Sequence, residues 1–390
     1  MSKPRTTEPV RNQAQFHFEM PEDALEPEHP ARVLWDALGR LDLSAFLVQA
    51  RSFEGGAGRS THSPRLMLTL WTFAISQGIG SAREIERLIE TDRAFAWIAG
   101  SMSVGHHALS RFRVGHPEAL DQLMTDILAA LMHKGVLSLR LVALDGMRVR
   151  AAASAPSFRS EPSLLECREQ AELHLKAILA QADDPELSFA QKAAREAGAR
   201  DFQQRVEEAI ATVHTLQESR APFHPALNVR AATAGSELGG PRTIVAVEVT
   251  NVGSDMGSMS PMLAQIEQRT GLVPQTLLAD ANHANHDAIS EASARGVDVL
   301  VPIPRRSQRT GPDGNHTPAI EQWRERMQTT EAKELYRARA GLCEWTNAQI
   351  AGRFGLRQFL VRAIEKATCV ALLAAITTNL TQHVATLASG

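Results

Sequence analysis

The sequence predicts an α/β protein: a mixed sheet with flanking helices, a helical insertion after the first strands, and an all-helical N-terminal region. Three observations carry this. Apolar residues recur at helical spacing from about residue 30 to 138. Short runs rich in Val, Ile, Leu and Thr begin at residue 139. Between two of those runs, residues 161–220 revert to long, charged, amphipathic segments.

The elements follow in order. Residues 1–30 are rich in Pro and Glu and read as an extended segment. Over residues 30–50, Leu34, Leu38, Leu41 and Phe46 are spaced to share a buried face. "GGAGRS" (55–60) reads as a loop. Ser63 then Pro64 opens the apolar run "SPRLMLTLWTFAISQGI" as N-cap and first helical residue. Ser81 and Glu84 stand at capping-box spacing before the next helix. A turn at 99–106 precedes "HALSRFRVGH" (107–116), which carries Arg111 and Arg113. Two short helices, a turn and an Arg-bearing third helix fit a helix-turn-helix-like unit, and they fit an ordinary helical bundle equally well.

"LRLVALDGMRVRAAAS" (139–154) then reads as two strands around Asp145. "LLECREQAELHLKAILAQA" and "QKAAREAGARDFQQRVEEAIATVHTLQE", with "DDPELS" between them, read as a helical hairpin whose charge run is a solvated face. Strands resume at 226–233 and 242–250. A helix at 260–271, a strand at 275–280, a helix at 285–296 and a strand at 297–303 follow, and the rest is helical to about residue 385. The organisation is therefore an extended segment (1–30), a helical domain (31–138), a sheet domain (139–160 and 221–390) and the inserted hairpin (161–220). It predicts that residues 1–138 can be removed while the sheet domain survives.

Bulk properties narrow the function. At 390 residues with 44% hydrophobic, the chain can hold two or three domains with real cores. Cys167, Cys343 and Cys369 are too few and scattered for a disulfide framework or a zinc site, which fits a reducing cytoplasm. The N-terminus lacks an apolar signal-peptide core. The longest apolar stretch, "CVALLAAITTNL" (369–380), is too short to span a membrane and reads as a buried helix. The net charge of −3 gives no general signature of nucleic-acid binding, so any basic surface must be local.

Three acids stand out. Asp145 ends "SLRLVALD", Asp280 ends "PQTLLAD", and Glu344 sits in the helical stretch "YRARAGLCEWTNAQ". Taken singly, Asp145 before Gly146 is a turn, Asp280 is a helix N-cap, and Glu344 is a helix residue. A fold rarely places carboxylates at the mouth of its core without a use for the charge. Converging, the three would make a site for divalent ions. Tyr336, the only tyrosine, and Arg339 are three apart and share a helix face. Local arginines cluster at Arg148 and Arg150, at Arg305, Arg306 and Arg309, and at Arg353, Arg357 and Arg362. Such patches suit phosphates. Arg111 and Arg113 are placed to reach a DNA groove or backbone. His283 reads as a solvent-facing loop histidine.

The inferred strand order is that of ribonuclease-H-like nucleases and integrases. The chain resembles bacterial insertion-sequence transposases of the DDE type, with an N-terminal helical domain of the transposase InsH type. Seven stretches carry the resemblance in order: 55–88, 109–116, 141–154, 227–233, 247–271, 277–280 and 336–349. The resemblance implies a ribonuclease-H-like catalytic domain that cuts DNA at inverted-repeat ends and transfers strands to target DNA. It implies two Mg²⁺ (or Mn²⁺) ions, with Asp145 bridging both and Asp280 and Glu344 each holding one. It implies that Tyr336 and Arg339 contact phosphates, and that the protein works as a homo-oligomer synapsing two double-stranded ends, with no membrane involved. The chain departs from the pattern at Ala351, where a lysine is common, at Ala234, where an aspartate is expected, and at Asn282–His283, where an aromatic residue is common. Two other readings stay open: a decayed or domesticated transposase that only binds DNA, and a stand-alone metal-dependent nuclease.

Overall fold

The computed structural model describes residues 20–48, 61–151, 161–180, 189–219, 223–236, 239–252, 255–303 and 317–388. The predicted loop at 55–60, the "DDPELS" turn, Arg305, Arg306 and Arg309, and most of the N-terminal segment lie outside the described residues.

Six helices come first: α1 (Pro30–Gly39), α2 (Pro64–Ser76), α3 (Ala82–Thr91), α4 (Arg93–Ala99), α5 (His106–Val114) and α6 (Pro117–His133). Proline opens α1, α2 and α6, where the missing N–H has no intrahelical partner to lose. Asp92 caps α4, its Oδ1 accepting from the N–H groups of Ala94 and Phe95 at 2.9 and 3.1 Å. The capping box expected at Ser81 does not form: Ser81 makes no side-chain cap, and Glu84 pairs with Arg87 at 2.6 Å one turn on.

The sheet begins with β1 (Leu141–Ala151), one continuous strand where two were predicted. Gly146 does not turn: it stays in the ladder opposite Arg230. The inserted helices α7 (Glu161–Ala180) and α8 (Phe189–Ser219) pack on each other around Leu164, Cys167, Val206 and Ile210. Then come β2 (Phe223–Gly235), β3 (Thr243–Val252), α9 (Met259–Thr270), β4 (Thr276–Leu278), α10 (His286–Ala294) and β5 (Asp298–Leu300). Two helices follow, α11 (Pro318–Arg326) and α12 (Thr330–Asn347), and α12 runs into a π-helical turn at Ala348–Arg353. The short strand β6 (Gln358–Phe359), which the pattern did not foretell, pairs with the far end of β1 before α13 (Ile364–Ala388).

The sheet order is β3-β2-β1-β4-β5. β1, β2 and β3 are antiparallel neighbours, while β4 and β5 join in parallel. Parallel and antiparallel pairs together give a six-stranded mixed sheet in an α/β fold. This is consistent with the ribonuclease-H-like expectation.

Side chains alternate across a strand, so β1 serves two cores. Val142 and Leu144 join the main core with the N-terminal helices and α13, whereas Leu141 and Ala143 join a smaller one with α12. The neighbours obey the same rule. Leu277, Val299 and Val301 face the main core, and Leu278 and Leu300 the smaller.

α13 organises the main core. It is longer than the predicted buried helix, and although long and apolar enough to cross a membrane, 72% of its most apolar window is buried within the protein. It packs against α1, α2, α5, α6 and β3. Its Asn379 donates to the carbonyl of Ile244 at 2.8 Å and accepts from the same residue's N–H at 2.9 Å. Gln265 of α9 accepts from the N–H of Val247 at 2.7 Å. Both cover the free edge of β3, which would otherwise invite another strand. The N-terminal helices and the sheet thus close over one core.

Candidate active site

The sheet places the two aspartates. Ala143 of β1 lies opposite Leu278 of β4 in a parallel register. Two residues further along each chain come Asp145 and Asp280, adjacent and just past the C-terminal end of β4. Parity decides which way they point. Asp145 continues the Leu141–Ala143 face, and Asp280 continues from Leu278, so both follow the side that packs on α12.

The facing side of α12 carries Ala332, Leu335, Tyr336, Arg339, Leu342, Cys343, Thr346 and Asn347, spaced three and four apart. From this stripe Arg339 Nη2 reaches Asp145 Oδ1 at 3.0 Å and Asp280 Oδ2 at 4.0 Å. Asn347 Nδ2 donates to the other oxygen of Asp145 at 3.1 Å. One guanidinium therefore offsets two neighbouring carboxylates. Glu344 lies beside the stripe, about 100° around from Cys343, and is exposed. Among the described residues, no three His, Cys, Asp or Glu side chains stand close enough to hold a metal ion. The structure thus brings Asp145, Asp280, Arg339 and the half-buried Tyr336 together and leaves Glu344 on the rim. Sequence reading missed Asn347, although its spacing of eight from Arg339 sets both on the Cys343 side of the helix.

The two aspartates differ electrically. Burial pushes the Asp145 carboxyl above its ordinary range, against the pull of Arg339. Asp280 is held below the ordinary range, first by the hydrogen bond from His283. His283 corrects the sequence reading. Its side chain is 0% exposed, not solvent-facing, and its Nδ1 lies 2.7 Å from Asp280 Oδ1. The N–H of Asn282 donates to the same oxygen at 3.0 Å, so Asp280 does cap the short turn Ala281–His283 that follows it. Burial first, then the nearby carboxylates, pushes the Cys343 thiol up to about 12 and keeps it protonated. Burial likewise raises the Tyr336 phenol.

Next to the acids, Arg230 is buried between two carboxylates: its Nη1 is 2.8 Å from Glu248 and its Nε 2.9 Å from Asp255. Asn228 also donates to Asp255, at 2.8 Å. This network presses on β1, because a Cβ on Gly146 would come within 3.0 Å of Asn228 Oδ1 and 3.3 Å of Asp255 Oδ1. Glycine here lets the network close against the strand beside Asp145.

The predicted DNA-contacting arginines divide. Arg111, Arg148 and Arg353 are exposed. Arg113 is not, and its assignment to DNA is corrected: it is 7% exposed. It donates to the carbonyls of Gly80 at 2.8 Å and Leu360 at 3.4 Å, and its guanidinium lies 4.8 Å from the ring centre of Trp71. Burial pulls its pKa down to about 10. Arg113 ties α5 to the segment between α12 and α13 rather than to solvent.

Asp145 within β1 and Asp280 just past β4, facing a helix that supplies an arginine, form the candidate site. Family comparison gives the class. Residues 306–384 match the transposase DDE domain, and residues 19–114 match a transposase domain (DUF772). Together the two matches indicate an insertion-sequence DDE transposase. No curated protein and no solved structure matches it.

Proposed function

We propose that the protein, of the InsH type within that class, cuts double-stranded DNA at the inverted-repeat ends of its element and joins the freed ends to target DNA. The observation that carries this is the convergence of Asp145 and Asp280 on one cation, Arg339, at 3.0 and 4.0 Å. Two hard oxygen donors around a positive charge suit a magnesium-class ion, which keeps several waters and is held by few carboxylates. Asp145 and Asp280 would hold the ions (two Mg²⁺ or Mn²⁺), and Glu344, exposed beside them, would have to move in to complete the set. Bound there, divalent ions would activate the attacking oxygen and offset charge on the leaving oxygen.

The chain's own side chains supply the rest. Arg339, freed from the carboxylates, would bind a phosphate oxygen, and Tyr336 would line the same rim. Exposed Arg148 and Arg353 would hold the backbone near the cut, and Arg111 would contact end DNA from the helical domain at 31–138. The inserted hairpin at 161–220 interrupts the catalytic domain at 139–160 and 221–390. Action on two ends implies a homo-oligomer, and a transposase of this type works in the cytoplasm.

The test is Asp145→Asn. It should reduce Mg²⁺-dependent cleavage of terminal-repeat DNA by at least about 10³-fold while end binding persists. Unchanged cleavage would sink the site. Loss of binding with cleavage chemistry intact on nonspecific DNA would favour a stand-alone nuclease.

A further inference from the structure

The strongest unexplained feature near the site is a buried histidine. His283 is wholly enclosed, yet only one of its nitrogens is used. Nδ1 meets Asp280 Oδ1 at 2.7 Å, while Nε2 is buried with no hydrogen-bond partner among the described residues. An aliphatic side chain would fill the space without burying an unsatisfied nitrogen, which costs about 1–3 kcal/mol. The fold retains the imidazole despite that cost, so the Nδ1 contact is the part with a use.

Its geometry shows the use. A carboxylate has about four lone-pair directions. On Asp280, Oδ1 receives His283 Nδ1 and the N–H of Asn282, at 2.7 and 3.0 Å. Oδ2 receives Asn282 Nδ2 at 3.2 Å and lies 4.0 Å from Arg339. Oδ1 is therefore committed to the turn, and Oδ2 is the oxygen on the side of Arg339 and Asp145. Free rotation of the carboxylate would exchange the two. The imidazole prevents it, because only one oxygen can meet a ring fixed by burial.

We propose that His283 is a positioning residue for Asp280. Its Nδ1–H locks Oδ1 toward the turn and presents Oδ2 to the cation shared with Asp145. This rests on the reading of Asp280 as a metal-holding carboxylate. Outer partners of this kind orient a metal's ligands, and their loss typically weakens metal binding by 10–100-fold.

Side-chain length gives the experiment. In His283→Asn an amide nitrogen stands the same number of bonds from Cα as Nδ1. In His283→Gln it stands one bond further, near Nε2, and in His283→Leu it is absent. Mn²⁺ affinity of each full-length, DNA-free variant is read by electron paramagnetic resonance, with thermal unfolding followed alongside. The expected result is near-native affinity in His283→Asn, within about 3-fold, and about 10–100-fold weaker binding in His283→Gln and His283→Leu, all with cooperative unfolding. Native affinity in His283→Leu overturns the proposal. Equal losses in His283→Asn and His283→Leu also overturn it, because the ring would then act by volume alone. Asp280→Asn separates the two readings. If that variant binds Mn²⁺ like the unmodified protein, the metal-site reading fails and the role of His283 falls with it. If it weakens binding while His283→Leu does not, only the role of His283 is lost.

Discussion

The two faces of β1 run along the same residues and do opposite work. On one face, Val142 and Leu144 are sealed among the N-terminal helices and α13. On the other, Leu141 and Ala143 carry the strand under α12 until Asp145 emerges among Arg339, Asn347 and Asp280. The first face has only contacts to lose. On the second, Asp145 resists burial, so removing its charge relieves the fold. Stability and chemistry are thus divided by strand parity, and substitutions on the two faces should differ in sign as well as in size.

The largest test uncovers the first face. Removing residues 1–138 takes away α1, α2, α5 and α6, the helices packed on α13. A helix whose most apolar window is 72% buried would then meet water along much of its length. The fragment 139–390 should be insoluble or lack a cooperative unfolding transition. A soluble fragment with a sharp transition would show that sheet and α13 stand without the helical region.

Next in size is a single cavity on that face. Leu144 is 0% exposed. Leu144→Ala should cost about 3 kcal/mol, within the range for buried leucine truncations. Denaturant unfolding with an unchanged slope would read it. A loss below about 1 kcal/mol would mean that the core around β1 closes over the gap, and the division between faces would be weaker than drawn.

Much of this division was legible beforehand because strands announce themselves locally. The runs ending at Asp145 and Asp280 were readable, and their neighbourhood then follows from the register between Ala143 and Leu278. The helix side was harder. Glu344 could be placed on a helix, but the roll of α12 depends on contacts such as Arg339 with Asp145, 194 residues away, and Asn347 with Asp145, 202 away. The fates of Arg113 and His283 were hidden for the same reason. Arg113 is buried by the segment at Leu360, 247 residues on, and nothing in "HALSRFRVGH" signals that partner. The histidine stands in a polar stretch, "DANHANHD", that reads as solvent-facing, and only tertiary packing encloses it.

The smallest effect is the sharpest test of sign, and it lies between the two aspartates themselves. Asp145 has a raised pKa, chiefly from burial, so its folded carboxylate takes up a proton more readily than the unfolded one. Its charge therefore costs stability at neutral pH, and the cost is relieved as pH falls through its folded value. Asp280 has a lowered pKa, chiefly from His283. Its charge stabilises the fold above the unfolded value of about 3.9, and that contribution is lost as pH falls through the lower folded value. Asp145→Asn should thus raise Tm at pH 7 and Asp280→Asn should lower it, each by about 1–2 °C, since partial exposure and solvent screening keep both effects small. The gap between the two variants should narrow as the pH falls through the folded values of the two carboxylates they replace, Asp145 first and Asp280 last. Shifts of the same sign at pH 7 would mean that Arg339 compensates Asp145 fully, and that the site is no more strained at its sheet end than at its turn.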